Sequence, residues 1–439
     1  MVCSHFKTLL CAPSSWLPNG YPSGRSDLFD SIPSSLSCHV NGLLGSAPKE
    51  KKIWEAVKYL NPDSAPGPNG FPGSFYIAAW SIIKRELIKA IQNFFRGGSL
   101  PRIASATNMI FISKVFSPSS ISQYRPISLC NFVYKVLATI INIRLSEFMH
   151  GWILEEQHAF IRGRSIQGAI GVSQEMAWDI NKKVIGSNVI IKYDMEKAYD
   201  HLDWSFIIRI MRFMGFSETV VDLLFHCFSS LWFNIIFSGR SCGFIKSIRG
   251  LRQGDPLSPN LFRLAQDSLR KFISSVMWAG IVRPFHYGSR FSGISHLLFV
   301  DESIFFINGR STSVRNFVKL LEEYSKWSGQ VINKDKSGVY LSSHYPGRHR
   351  SSIESFLGIQ GKSFPITYLG TPIAPGRIQI HHFEDRLIGS SNTLTIGRTD
   401  SSYLEEGSTS SSMCFPRSPC TYFLSLRSPI QLSSKWRKS

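Results

Sequence analysis

Acidic residues are in short supply: thirty Asp and Glu stand against forty-nine Lys and Arg in 439 residues, a formal net charge of +19. Such a deficit points to a polyanionic partner, with nucleic acid the first candidate. Cysteine is sparse too: eight residues are scattered with no Cys-x-x-Cys pair and no Cys/His grouping at zinc-finger spacing. A disulfide-stapled scaffold is thereby excluded, and the thiols read as reduced core residues. No apolar run is long enough to span a bilayer, because the best window, Val220 to Phe237, is broken by Asp222, His226 and Asn234. The first twenty residues show no basic segment leading into an apolar block, so no secretory signal is evident. A phosphate-binding P-loop is missing as well. Gly361-Lys362-Ser363 is preceded by Phe356 where the first glycine belongs, and the loop at 65–73 lacks the Gly-Lys-Ser/Thr ending. ATP hydrolysis has no support.

What is present is a chain with 43% hydrophobic residues, enough for one large domain or two to three smaller ones. Up to about residue 48, Ser, Pro and Gly dominate, which predicts a poorly structured leader. Ile53, Val57 and Leu60 then recur at helical spacing and stop at Asn61-Pro62; Ile82, Leu87, Ile91 and Phe95 mark another helix ending at Gly97-Gly98. Met109–Ile112 reads as a strand, as does the β-branched run Val189–Tyr193, which delivers Asp194 at its end. Asp203 is placed to cap a helix with Phe206, Ile207, Ile210, Met211 and Met214 on one face, up to Gly215. After the loop Gly250–Pro256, Ser258-Pro259 reads as N-cap and first helical residue of a helix striped by Leu261, Leu264, Ala265, Leu269 and Phe272. Two apolar runs, Leu297–Val300 and Ser303–Ile307, flank Asp301-Glu302 and predict a buried hairpin with both acids at its tip. From Gly389 to Ser439 the text is serine-rich with few periodic apolar positions, so no well-packed C-terminal domain is expected.

One acid at a strand end is usually a cap or turn former, and Asp301-Glu302 alone could be an exposed turn. If the strands that carry them are neighbours, however, Asp194, Asp301 and Glu302 converge at one sheet edge. Three such charges repel unless a cation neutralises them, and an all-oxygen set suits Mg²⁺. Two such ions, with Mn²⁺ as an alternative, would hold nucleotide phosphates and activate an attacking hydroxyl, so phosphoryl or nucleotidyl transfer is the chemistry expected. Lys114 and Arg125 are available to clamp a triphosphate. The polar loop Gly250–Pro259 can approach a base pair closely.

The ordered succession Ala-Pro-Gly-Pro-Asn-Gly-Phe (65–71), Tyr-Arg-Pro-Ile-Ser-Leu-Cys-Asn (124–131), Asp-Met-Glu-Lys-Ala-Tyr-Asp (194–200), Gly-Leu-Arg-Gln-Gly-Asp-Pro-Leu-Ser-Pro (250–259), His-Leu-Leu-Phe-Val-Asp-Glu (296–302) and Tyr-Leu-Gly-Thr-Pro (368–372) resembles the reverse transcriptase of plant LINE-type, non-LTR retrotransposons. The resemblance covers roughly residues 50 to 380. It implies an α+β right-hand polymerase with an antiparallel-sheet palm and helical fingers. The expected divisions are fingers at 49–180, palm at 181–345, a primer-grip region and start of thumb at 346–388, and a degraded or disordered thumb at 389–439. It further implies that Asp194, Asp301 and Glu302 are the palm carboxylates and metal ligands, and that Tyr199 is a steric gate against a ribose 2′-OH. Gln253 and Gly254 would contact nucleotide and template, Lys114 and Arg125 the triphosphate. Lys336 would protonate departing pyrophosphate, and Tyr368, Leu369 and Gly370 would form the primer grip. Its partners would be an RNA template, a primer strand and deoxynucleoside triphosphates, and its compartment nucleus or cytoplasm.

Three departures stand out. The family hairpin usually reads Ala-Asp-Asp, here Val300-Asp301-Glu302; Gly168-Ala169 replace an expected Asp-Asn; and the likeness lapses beyond His382, resuming in part at Thr421–Leu426. A fragment or decayed copy of an element is the expectation, without the upstream endonuclease of full-length relatives. The rival readings are a non-catalytic nucleic-acid-binding remnant, an organellar intron maturase and a metal-dependent nuclease.

Overall fold

The structure, a computed structural model, describes residues 2–11, 27–32, 34, 36–149, 166–229, 232–287, 294–299 and 301–376. The segment at 157–165, Val300 and everything expected of the thumb beyond 376 lie outside the described residues. The chain divides into two compact units, Met1–Ser363 and Phe364–Ser439.

Eleven strands are described: β1 (Thr107–Ser113), β2 (Tyr124–Cys130), β3 (Asn188–Glu196), β4 (Trp232–Phe237), β5 (Arg240–Lys246), β6 (His296–Phe299), β7 (Glu302–Asn308), β8 (Val331–Ile332), β9 (Gly338–Leu341), β10 (Ile366–Tyr368) and β11 (Thr371–Ile373). In the first unit they form two sheets. One runs β2-β1-β4-β5, antiparallel except for the parallel pair β1/β4. The other runs β6-β7-β3-β8, with β9 also paired to β3. β3 is central, with neighbours on both sides, and its first eight residues are all buried. That position explains its β-branched run, since a strand covered on both faces has no solvent side to leave polar.

The helices follow the sequence periodicity closely. Glu50–Tyr59 buries Ile53 and Val57, and Trp204–Phe213 is capped by Asp203, whose carboxylate accepts from Ser205 N at 2.8 Å. Two details differ. Ile82 is 82% exposed, so the buried face of the helix Trp80–Phe95 is Leu87, Ile91, Phe94 and Phe95. Ser258 is already helical, and Leu257 occupies the cap position, its N–H donating to Asp255 Oδ1 at 2.9 Å.

The segment before residue 48 carries helices at Val2–Cys11, Asp27–Asp30 and Cys38–Gly45, where the Ser/Pro/Gly content predicts little order. They are held by tertiary packing. Phe6, Leu9 and Leu10 join Met109, Phe233, Ile235 and Ile245 in one apolar cluster, and Phe29, Ile32 and Leu44 join the main core. Of the six cysteines described, Cys130 and Cys227 are buried; Cys38 and Cys242 are exposed, so the thiols are not uniformly core residues. Residues 346–363, expected to begin the thumb region, belong to the first unit, where Ile353, Leu357 and Ile359 are part of the main core. No helix among the described residues is long and apolar enough to cross a membrane.

Candidate active site

β3 and β7 run antiparallel with Asp194 directly opposite Glu302. Side chains alternate along a strand, so Lys192 and Asp194 share one face, and the register brings Glu302 onto that face. Asp301 sits in the turn just before β7, and its carbonyl accepts from Met195 N at 2.8 Å, which ties the turn to the end of β3. On the other side of β3, Ser337 Oγ accepts from Asp194 N at 3.1 Å and Asn333 N donates to the Asp194 carbonyl at 2.8 Å. The three acids expected from the sequence therefore lie together at one end of the adjacent inner strands β3 and β7. One correction applies: Glu302 is the first residue of β7 and not a second tip residue.

The electrostatics carry the mark of crowded negative charge. Burial raises the Asp194 carboxyl, and the charges of Asp301 and Glu302 raise it further, against Lys336 and Lys192. The Asp301 carboxyl is also raised, chiefly by loss of hydration, with Glu302 adding and Lys336 and Arg125 opposing. Lys336 Nζ stands 4.0 Å from Asp194 Oδ1, and Lys192 Nζ 3.5 Å from Glu302 Oε1. Lys114 is lowered, first by burial and then by the positive charges of Lys336, Arg125 and Lys197. Lys336 and Arg125 thus act electrostatically on both Lys114 and Asp301.

Among the described residues, no three carboxylate, imidazole or thiolate groups are spaced to enclose a metal ion. The trio is adjacent without forming a cage, and Lys192 engages one Glu302 oxygen. The donor set still fits a hard cation: burial and neighbouring acids disfavour the ionised forms of Asp194 and Asp301, which a cation would favour, and Mg²⁺ commonly takes one or two carboxylates with water and phosphate completing the shell.

The loop at 250–256 is fixed from beneath. Arg252 donates to Asp255 Oδ2 at 3.1 Å, to Thr107 Oγ1 at 3.1 Å and to the Cys227 carbonyl at 2.9 Å. Its guanidinium lies 3.8 Å from the centre of the Tyr134 ring, and Tyr134 OH donates to Asp255 at 2.7 Å. Between these anchors stand Gln253, whose carbonyl accepts from Ser128 N at 2.8 Å, and Gly254, whose φ of +100° suits glycine. Gln253 Nε2 donates to both oxygens of Asp200, at 3.3 and 3.4 Å. Gly250 lies so close that an added Cβ would stand 2.6 Å from the Asp200 carbonyl.

Tyr199 stacks on Phe262 at 4.5 Å with planes 8° apart, and its hydroxyl is raised by burial, with Arg263 opposing and Asp301 adding. Lys114 follows the last residue of β1, its ammonium donating to the Ser122 carbonyl at 3.1 Å, and Arg125, on β2, lies opposite Ile112 of β1. In the second unit, β10 and β11 form a hairpin whose turn is Leu369-Gly370, with φ of +46° and +80°. Positive φ at both central positions is what a tight type I′ turn requires. Tyr368 is buried at the end of β10.

Lys192, Asp200, Arg252 and Asp255 are not among the residues expected from the sequence, although signals exist for all but Asp200. A lysine two residues before Asp194 inside an apolar strand shares its face, and Arg252 and Asp255 bracket Gln-Gly at the spacing of an i,i+3 ion pair.

A model of the family described as reverse transcriptase (RNA-dependent DNA polymerase) matches residues 115–373, more than half of the chain. The chain is similar to the Transposon TX1 uncharacterized 149 kDa protein of Xenopus laevis, 24% identical over 244 residues, 56% of this chain and 18% of that protein. It is similar to the retrovirus-related Pol polyprotein from the type-2 retrotransposable element R2DM of Drosophila melanogaster, 24% identical over 267 residues, 59% of this chain and 24% of that protein. A shorter match, 37% identical over 68 residues, is to the uncharacterized mitochondrial protein AtMg01250 of Arabidopsis thaliana, 16% of this chain and 56% of that protein. The chain spans no more than about a quarter of the two transposon proteins, 18% and 24% of their lengths.

Proposed function

The chain belongs to the reverse transcriptase (RNA-dependent DNA polymerase) family, and from that premise we propose that it extends a primer 3′ end with deoxynucleotides on an RNA template. We take its source to be a plant LINE-type, non-LTR element. The observation that supports the reading is the clustering of Asp194, Asp301 and Glu302 at one end of β3 and β7, within the electrostatic reach of Arg125 and Lys336, which also act on Lys114. A single catalytic acid elsewhere in the fold would carry no such implication.

In this reading Asp194 and Asp301 would hold Mg²⁺, or Mn²⁺ in its place, with Glu302 beside them. When bound, such ions neutralise phosphate charge and favour ionisation of an attacking hydroxyl. Lys114 and Arg125 bind the triphosphate, the guanidinium through paired N–H donors. The Tyr199 ring, braced by Phe262, fills the space a 2′-hydroxyl would need. Lys336, 4.0 Å from Asp194 and largely exposed, is free to swing toward departing pyrophosphate and give up its proton. Tyr368, Leu369 and Gly370 hold the primer strand.

The test is extension of oligo(dT) on poly(rA) with dTTP and Mg²⁺. Slow but template-dependent extension is expected. No extension, with salt-sensitive duplex binding retained, would favour instead a non-catalytic nucleic-acid-binding remnant, to which the engagement of Glu302 by Lys192 lends some weight.

A further inference from the structure

Asp200 follows the gate tyrosine on the short helix Ala198–His201 and is only 7% exposed. Its surroundings hold it firmly against the nucleotide-facing loop. Gly250 N donates to the Leu202 carbonyl and Leu251 N to the Tyr199 carbonyl, each at 2.8 Å, so the loop is bonded to the backbone on both sides of Asp200. Both Asp200 oxygens accept from Gln253 Nε2. The Gln253 main chain is fixed independently, by Ser128 and by the buried Arg252–Asp255 pair on either flank.

An amide side chain has two ends of opposite polarity, and which one faces a neighbour is decided by what that neighbour can do. An ionised carboxylate only accepts. It therefore draws the NH₂ end and leaves Oε1 as the end remaining for a ligand. We propose that Asp200 is a positioning residue that fixes the polarity of the Gln253 amide, so that Gln253 presents an acceptor to a hydrogen-bond donor on the incoming nucleotide. This rests on the reading of Gln253 as a nucleotide contact and adds to it the residue that sets its orientation. With asparagine in place of Asp200, the new NH₂ can donate to Gln253 Oε1 and turn the Gln253 NH₂ toward the nucleotide, so that a donor there meets a donor in most of the population.

The experiment measures equilibrium dTTP binding, with Mg²⁺, to the full chain on poly(rA) carrying a dideoxy-terminated oligo(dT), so that no bond formation is required. Asp200→Asn preserves shape while supplying both an acceptor and a donor, and is expected to weaken dTTP about tenfold, the scale of one charge-assisted hydrogen bond. In a Gln253→Ala background the same substitution is expected to change affinity less than about twofold, because the group it orients is gone. A second pair guards against a folding defect. Gln253→Glu sets two carboxylates together and weakens dTTP, and adding Asp200→Asn, whose NH₂ can donate to the new carboxylate, is expected to restore part of the loss. Equal weakening by Asp200→Asn with and without Gln253, or no restoration in the Gln253→Glu background, would overturn the proposal. A parent chain that binds no dTTP at all would contradict the nucleotide reading and this inference together; binding with additive substitutions would contradict the inference alone.

Discussion

Glutamate at 302 is one methylene longer than the aspartate usual in the family hairpin, and that length lets Oε1 stand 3.5 Å from Lys192 Nζ. The side chain is thus shared between the carboxylate cluster and a lysine on its own sheet face. Glu302→Asp shortens the reach and is expected to raise the extension rate, by up to about 10²-fold if the methylene displaces a reacting group by about 1 Å. Steady-state primer extension reads this; an unchanged rate in a folded variant would mean that the extra methylene is not what limits the enzyme. Tyr199 makes a second residue-level prediction. Because its ring is braced flat on Phe262, Tyr199→Ala removes bulk without disturbing the backbone, and the ratio of ribonucleotide to deoxynucleotide incorporation is expected to rise at least about tenfold. A ratio that stays fixed would return Tyr199 to the role of an ordinary buried aromatic. Asp200 makes a third, in stability. Burial lifts its carboxyl to about 6, above the unfolded value near 4, so the folded state holds the proton more tightly. Stability from this group is full below about pH 4 and is lost as pH rises through about 6. Asp200→Asn removes the titration, so its Tm relative to the parent is expected to climb between those two values and level off above them. A pH-independent difference would contradict this.

Among elements, the loop at 250–256 is held by a buried ion pair. Arg252 and Asp255 have almost no exposed side-chain surface, and Tyr134, Thr107 and the Cys227 carbonyl complete their bonding. Arg252→Met leaves Asp255 buried without its cation, and a loss of about 3–5 kcal/mol in denaturant unfolding is expected. A loss under about 1 kcal/mol would show that the loop is held by other contacts. The same loop marks the limit of what the sequence reveals. Helices with a regular apolar stripe, such as Glu50–Tyr59 and Trp204–Phe213, were legible because burial of one face repeats at the helical period. The hairpin β6/β7 was legible because its apolar runs are interrupted once, by acids. The pairing of Asp194 with Glu302, over a hundred residues apart in the chain, was inferred from what like charges need, and only the β3/β7 register supplies it. The helices before residue 48 escaped notice because their order comes from Phe6, Leu9, Leu10, Phe29, Ile32 and Leu44 packing on distant strands and helices, which no local period reports. Asp200 is illegible for the same reason, since Gln253 is brought to it by tertiary contact alone.

For the molecule as a whole, a formal charge of +19 on a chain of the reverse transcriptase family gives nucleic acid a strong electrostatic claim. Three of the acids that interrupt this basic background lie together at one end of β3 and β7, where burial and neighbouring carboxylates raise Asp194 and Asp301. A divalent ion is the natural counterpart of that charge, and the polymerase account depends on its binding there. Electron paramagnetic resonance of Mn²⁺ titrated into the full chain on a terminated primer–template with dTTP measures this most directly. The free Mn²⁺ signal is expected to be depleted by the parent chain beyond the level set by dTTP and duplex alone, and that extra depletion is expected to be largely lost with Asp194→Asn and with Asp301→Asn, in proteins that still bind the duplex. Equal extra depletion by the parent and both variants would contradict the assignment of the metal to these carboxylates.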